Sequence, residues 1–367
     1  MRGVRYVIPA PVAPALLSPL AAAEDAVARL DERLASSPIR AGWVARTDFA
    51  DACASIGLTG ELVLAEDLVL HDAGMNVRAP THELTQAHAI LSARRRVASA
   101  KPAWALSASG FELLCGRAES SATAEDPDRR GKPGISGATR STGSDADDDA
   151  ALAEAFAAVD AALANAERAL TETAPRRRDP LIYDTDHDEE AQLAQWRSIV
   201  EQTATLPPTL AAALAGDAWE ALNPTPASWL GRLLPAALLR ARGKTRTHLA
   251  ALSVGLRAIP RERRRSPDQT TRLAAWLEAL TAAANGGLKD HDRWLSARTV
   301  LMRKCEGRRS TSKLPALIDF VLSRPLVSAA MVAEELAVTP RAALDLIAEL
   351  NLRETTGRGR YRAWGVL

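Results

Sequence analysis

Apolar residues recur at helical spacing along most of the chain. In the segment running from Ser18 to Pro38, Ala23, Val27, Leu30 and Leu34 fall on one face, with acids early and Arg later. This predicts a helix with Ser18 as N-cap. A second helix is expected over RTDFADACASIGL, capped by Thr47 or Asp48, followed by TGELVLAEDLVLHDAG. A long helix begins after Thr81, with Glu83 in its first turn. Further helices are expected over 150–171, 191–203, 209–222, 226–242, 246–258, 268–285 and 290–305.

The last segment has a different rhythm. LPALIDFVLSR has apolar residues at 314, 317, 318, 321 and 322, which makes an amphipathic helix that Pro325 stops. Ser328 is an N-cap for a second helix, and Val338 sits in the tight turn that follows. Thr339 and Pro340 supply an N-cap and a preset first position for a third helix, RAALDLIAELNL. Leu344, Ile347 and Leu350 are expected to point inward, and Ala329, Ala333 and Ala343 are small enough for two helices to cross closely. After Leu352, two short strands around Gly357 form a hairpin, with Tyr361 and Trp364 packing back. This order is a winged helix-turn-helix. Its DNA-facing residues are expected to be Thr339, Arg341, Ala342 and Asp345 on the third helix and Arg358, Arg360 and Arg362 alternating on the wing, with Ser328 and Pro340 at the helix starts. Arginines in a row on a wing suit phosphate or minor-groove contact. A purely structural or dimerising tri-helical unit is the competing reading.

Composition agrees with a mainly α protein. Ala and Leu dominate and aromatics are 4% of 367 residues, although eight of these are Trp. Cysteines at 53, 115 and 305 are odd in number and widely spaced, which excludes a disulfide framework or zinc ribbon and suits a reducing cytoplasm. No run approaches the roughly 18 apolar residues that span a bilayer, and the prolines near the N-terminus argue against a signal peptide. From 117 to 149 the chain is rich in Ser, Gly, Asp and Pro, the composition of a disordered linker. The expected organisation is an N-terminal helical region (1–116), this linker (117–149), a helical core (150–313) and the winged unit (314–367).

The net charge of +1 conceals segregation. Residues 1–227 hold 21 basic and 33 acidic groups, 228–313 hold 19 and 6, and 314–367 hold 6 and 6. A basic stretch beside the winged unit adds Arg261–Arg265, Arg308, Arg309 and Lys313 to the groups available to a phosphate backbone. A solvated helix face is the plainer alternative.

The middle of the chain resembles Fic-type proteins. WLGRLLPAALLRARGKTRTHLAALSVGLR (229–257) is similar to the segment after that family's active-site loop, with Gly231, Arg232, Leu233 and Leu234 at the helix start and Leu252–Ser253 as the later pair. SIGLTGE (55–61) is similar to the family's N-terminal helix motif through Ser55, Leu58 and Gly60. The resemblance implies a Fic-like helical body, and a family activity of AMP transfer from ATP. The motif positions here read ALNPTPASW (221–229): Ala221 replaces the base, Thr225 the metal carboxylate, Pro226 and Ala227 the anion-binding turn, and Trp229 the arginine. Thr59 stands where the inhibitory Glu would be. A loop without base, metal ligand or phosphate nest does not perform that transfer, so no catalytic residue, cofactor or metal is assigned. RLDERLASSP, RAPTHEL and GLRAIPRERRR also resemble a bacterial, often plasmid-borne family of uncharacterised helix-turn-helix proteins.

Other candidate chemistry is thin. His82 and His88 flank Glu83 and its neighbours at a spacing that does not share a helix face, with His71–Asp72 nearby. DTDHDEE (184–190) lacks the central Gly and terminal Glu of a calcium loop and reads as a solvated acidic turn. The function expected is a cytoplasmic, nucleoid- or plasmid-associated regulator that binds double-stranded DNA without catalysis, with a homodimer allowed and no membrane partner. A diverged nucleotidyltransferase and a protein-interaction scaffold are the rivals.

Overall fold

The computed structural model describes residues 6–8, 14–75, 79–114, 185–222, 228–307, 312–354 and 362–366. The expected linker and the helix over 150–171 lie outside them. Fourteen α-helices are described: α1 Leu17–Ala35, α2 Arg40–Gly57, α3 Ala65–Asp72, α4 His82–Ser99, α5 Ala108–Leu114, α6 Thr185–Gln202, α7 Pro208–Leu222, α8 Leu230–Ala241, α9 Leu252–Arg257, α10 Arg261–Arg264, α11 Gln269–Arg303, α12 Leu314–Leu322, α13 Ala329–Leu336 and α14 Pro340–Leu350. The strands β1 Val327–Ser328, β2 Arg353–Glu354 and β3 Ala363–Gly365 form an antiparallel sheet in the order β1-β3-β2. The protein is mostly helical. No helix among the described residues is long and apolar enough to cross a membrane.

Several expected boundaries move, each for a local reason. Ser18 is not the cap of α1, because a 3-10 turn at Pro14–Leu16 runs directly into the helix and puts Ser18 inside it. Thr47 and Asp48 do not cap α2 either, since the helix starts at Arg40 and buries Asp48 in mid-length. Thr81 does cap α4, accepting from the Leu84 amide. The stretch 246–251 is not helical, because Asp31 accepts from the amides of Arg246 and Thr247 and holds that backbone in a bend. The segment 184–190, read from sequence as an acidic turn, instead runs into α6, which starts at Thr185.

The largest departure is α11. The sequence predicts two helices, 268–285 and 290–305, with a break that includes Gly286 and Gly287, but a single helix of 35 residues runs through. Asp268 caps it, accepting from the Thr271 amide at 2.8 Å. Glycine costs helix stability by roughly 1 kcal/mol, and at Gly287 the structure shows what offsets it. The Trp43 ring of α2 lies so close that a Cβ there would stand 2.8 Å from Cζ2. The Trp43 indole N–H also donates to the Gly287 carbonyl at 3.0 Å. The gap in side chains is the seat for a tryptophan.

A buried ionic hub fixes the layer beside it. Arg94 of α4 donates through Nε to Asp48 (2.9 Å) and through Nη1 to Asp51 (2.6 Å) of α2; Nη1 also reaches the Ala250 carbonyl at 3.5 Å and Nη2 the Leu249 carbonyl at 3.4 Å. Asp51 in turn accepts from the Val254 amide of α9 at 3.0 Å. Removing one partner from such a network strands the others in a low-dielectric site. Arg94→Leu should therefore lower unfolding free energy by about 3–5 kcal/mol, read from the urea midpoint of the full chain. A loss below about 1 kcal/mol, the level of an exposed pair, would show that the hub is not what ties α2, α4 and α9 together.

The Asp31 site adds a pH dependence. Desolvation opposes its charge, but hydrogen bonds from His248, Thr247 and Arg246 outweigh this and hold the carboxyl well below its usual range. A depressed folded pKa contributes stability above the unfolded value of about 4, lost as pH falls through the folded value. Wild-type stability should drop below about pH 4 more steeply than that of Asp31→Asn, as followed by thermal melts across pH.

Candidate nucleic-acid interface

The residues of the winged unit set its geometry through their caps. Ser328 Oγ accepts from the Met331 amide at 3.2 Å, and Thr339 Oγ1 accepts from the Ala342 amide at 3.2 Å, each opening a helix at the expected residue. Pro340 occupies the first helical position of α14. Between α13 and α14 the chain reverses through Ala337 at φ 50°, ψ 53°, while the Val338 amide donates back to the Ala333 carbonyl. Ala333 and Ala343 are buried at the crossing.

The inward face of α14 is Ala343, Ile347 and Leu350, at 0%, 2% and 0% exposure. Leu344 was expected to join them and does not. It is 42% exposed, because the i, i+4, i+7 stripe is led by Ala343 and leaves Leu344 about 100° around the helix. The open face carries Arg341, Leu344, Asp345 and Ala348, with Thr339 and Pro340 exposed at its start and Ala342 half-buried. The signal that could have placed Leu344 is the small residue before it, which the crossing of two helices demands.

Other expected contact residues fare differently. Ser328 is 7% exposed, with Oγ occupied by its cap and 3.2 Å from the Met75 Sδ; it shapes the unit and presents nothing to a duplex. Arg362 is exposed, but its guanidinium bonds Glu354 across the sheet (2.9 and 2.6 Å) and lies 5.3 Å from the centre of the Trp364 ring. Trp364 is buried, as expected, on β3 between β1 and β2. Arg308, Arg309, Arg358, Arg360 and Tyr361 lie outside the described residues. Arg353, not singled out from sequence, is exposed on β2.

The winged unit is held against the body. Arg46 of α2 donates to the Arg324 carbonyl through Nε (2.9 Å) and Nη2 (2.5 Å), and to the Pro325 carbonyl at 3.2 Å. Arg298 of α11 bonds Asp319 of α12 at 2.9 Å, and Lys304 reaches the Leu350 carbonyl at the end of α14. The basic cluster at 261–265 is elsewhere. Arg263 is bonded to Glu278, near the start of α11, while the winged unit docks beside Arg298; twenty residues of helix separate these points by about 30 Å.

Arg264 and Arg265 instead border a cleft with Arg232, Arg272, Asp217 and Glu220. Thr59, Ala221 and Ser228 also line it, so the two segments similar to Fic proteins meet there: Arg232 Nη2 donates to Ser55 Oγ at 3.0 Å. Asp217 is taken up by Arg272 (2.6 Å) and Tyr6 (2.8 Å). Thr225, Pro226 and Ala227 lie outside the described residues. The histidines near 71–88 converge in part, with His71 and His88 ring centres 4.9 Å apart and His88 3.3 Å from Asp72. Both Asp72 oxygens, however, accept from Arg95, and no group of three potential metal ligands forms among the described residues.

A small three-helix unit with a three-stranded wing, capped and welded to a helical body, defines a protein with a C-terminal helix-turn-helix domain. Residues 314–367 match the family model described as "HTH DNA binding domain", and 181–306 match "Protein of unknown function (DUF1612)". The "Uncharacterized protein y4cF" of Sinorhizobium fredii is 46% identical over 369 residues, covering 96% of this chain and 97% of its own. The chain belongs to the same family as that protein.

One feature of the turn is open to test. A non-glycine residue in the left-handed region costs roughly 1–2 kcal/mol, partly recovered in the unfolded chain by its restricted backbone. Ala337→Gly should raise stability by about 0.5–1 kcal/mol, seen as a higher urea midpoint at unchanged slope. A lower midpoint would mean that the Ala337 methyl contributes packing that outweighs its backbone strain.

Proposed function

We propose that the protein binds double-stranded DNA through α14 and the wing, as a regulator of transcription or plasmid maintenance, with no catalysis in its body. The observation that carries this is the exposed face of α14 opening on Thr339, Pro340 and Arg341 within a segment matching a DNA-binding domain. A helix entering the major groove reads base edges through its first turns. Arg341 is the residue for guanine or phosphate, Asp345 for a cytosine amino group, and Leu344 for a thymine methyl. Thr339 and Ala342 flank them and Arg353 and Arg362 are the exposed arginines beside them; Arg308, Arg309, Arg358 and Arg360 are counted by this reading, from the sequence, among the groups for the phosphate backbone. The duplex partner and a pairing of two copies belong to the same reading, as does a nucleoid or plasmid location.

The body is, on this proposal, Fic-like and emptied. The meeting of Arg232 with Ser55, and of Thr59 and Ala221 around one cleft, supports that reading. The residue at the base position has no proton to exchange. The domain division proposed from sequence stands beside it, with 1–116 and 150–313 contributing to the body, 117–149 linking them and 314–367 reading DNA.

Filter binding of the full chain to duplex DNA across a salt series tests the proposal. Log affinity should fall linearly with log salt concentration. Arg341→Ala should weaken binding by about 5- to 30-fold, and should lower the salt slope by about 1 if its contact is to phosphate. Absence of salt-dependent binding to any duplex, specific or random, would overturn it. In a scaffold, replacing Arg341 and Arg358 would leave both assembly and duplex retention unchanged.

A further inference from the structure

A cavity of about 390 Å³ opens where α2 and α11 meet the winged unit. Its apolar lining includes Leu30, Trp43, Leu280 and Ala284, and it is closed on one side by Pro325 and Val366 of the winged unit. The volume is in the range of about 300–1,000 Å³ that small-molecule sites occupy. Its polar groups are mostly donors. The Trp294 indole N–H is buried without a partner. Arg46 sits 5.0 Å and Arg293 5.7 Å from the Trp294 ring centre, so the indole lies among two guanidiniums. Arg46 uses Nε and Nη2 to hold the winged unit, and Nη1 makes no hydrogen bond with the described residues. Asp290, the nearby carboxylate, is paired with Arg293 at 3.2 Å.

An unpaired buried N–H beside a guanidinium with no carboxylate partner calls for an anionic acceptor, and two indole walls suit a flat ring. We propose that this cavity is an effector site for a small aromatic carboxylate, its ring against Trp43 and its carboxylate between Arg46 Nη1 and the Trp294 N–H. Occupancy alters DNA affinity, because the same Arg46 and the same Pro325 hold the winged unit in place. The binding half of this inference stands on the cavity alone; the coupling half rests on the DNA-reading assignment.

Gly286 gives a way to close the site. It lines the cavity, and a Cβ built there meets no heavy atom within 4 Å. Gly286→Leu should therefore fill the space without straining the fold, and it improves helix propensity. The test titrates 2-naphthoate and its neutral counterpart 2-naphthamide into the full chain, followed by tryptophan fluorescence and calorimetry. The carboxylate should bind at least tenfold more tightly than the amide, and at least tenfold less tightly to Gly286→Leu, whose melting temperature stays at or above wild type. Trp294→Phe, which keeps a ring and loses the N–H, should weaken binding several-fold. Failure of wild type to bind naphthoate, equal binding of the amide, or undiminished binding by a folded Gly286→Leu would each overturn the site. Saturating naphthoate should then shift duplex affinity at least threefold in wild type and not in Gly286→Leu. Binding with unshifted duplex affinity would overturn the coupling alone, and a chain that binds no DNA would overturn the DNA reading while the fluorescence arm still decides the site.

Discussion

The indole of Trp43 resting on Gly287 is the contact from which the architecture follows. It seats α2 across the middle of α11, with the indole N–H on the Gly287 carbonyl and the ring filling the space a side chain would take. Everything that α2 then does depends on that seating. One turn from Trp43, Arg46 reaches the Arg324 and Pro325 carbonyls; one residue before it, Gly42 brings α2 against the Leu322 backbone. Further along the same helix, Asp48 and Asp51 take both ends of the Arg94 guanidinium. A single close approach thus aligns the polar hub that joins α2, α4 and α9 with the junction that holds the winged unit.

That junction differs from a flexible tether. Arg46 from α2, Arg298 and Lys304 from α11, and Met75 after α3 all touch the winged unit. Contacts from several elements fix its orientation, so α14 is presented by the body. Under the proposed function, a rigid presentation gives the body a means of influencing DNA affinity without touching DNA, since a change at the junction alters the cost of the orientation a duplex requires. The donor-rich cavity lies at that junction, whereas the arginine-bordered cleft around Arg232 lies on a different part of the body.

Local signals in the sequence were legible wherever one residue acts on its own backbone. Thr81, Ser328 and Thr339 cap the helices they precede, and Pro340 sits where a first helical position tolerates it. The three-helix order and the strand around Trp364 were also legible, because amphipathic spacing and turn residues mark them within fifty residues. What could not be read depends on partners distant in sequence. Gly286–Gly287 looks like a break until Trp43, 244 residues away, is placed over it. Asp48 looks like a cap until Arg94 is known to lie opposite. Leu344 looks inward until the helix crossing selects Ala343. The same limit applies to the site: Thr339 and Arg341 emerge on the open face as a helix wheel suggests, but Ser328 is consumed by its cap and a body contact. The 261–265 cluster, adjacent to the winged unit in charge counting, is separated from it by most of a long helix.

Hydrogen exchange on the full chain, with and without duplex DNA, tests the central claim most directly, because it reports where the duplex lies rather than whether it binds. The account predicts slowed exchange concentrated in the amides at the start of α14, from Arg341 to Asp345, and in the wing around Arg353 and Arg362. Protection confined to the Arg232 cleft and the 261–265 cluster, with α14 unchanged, would contradict it.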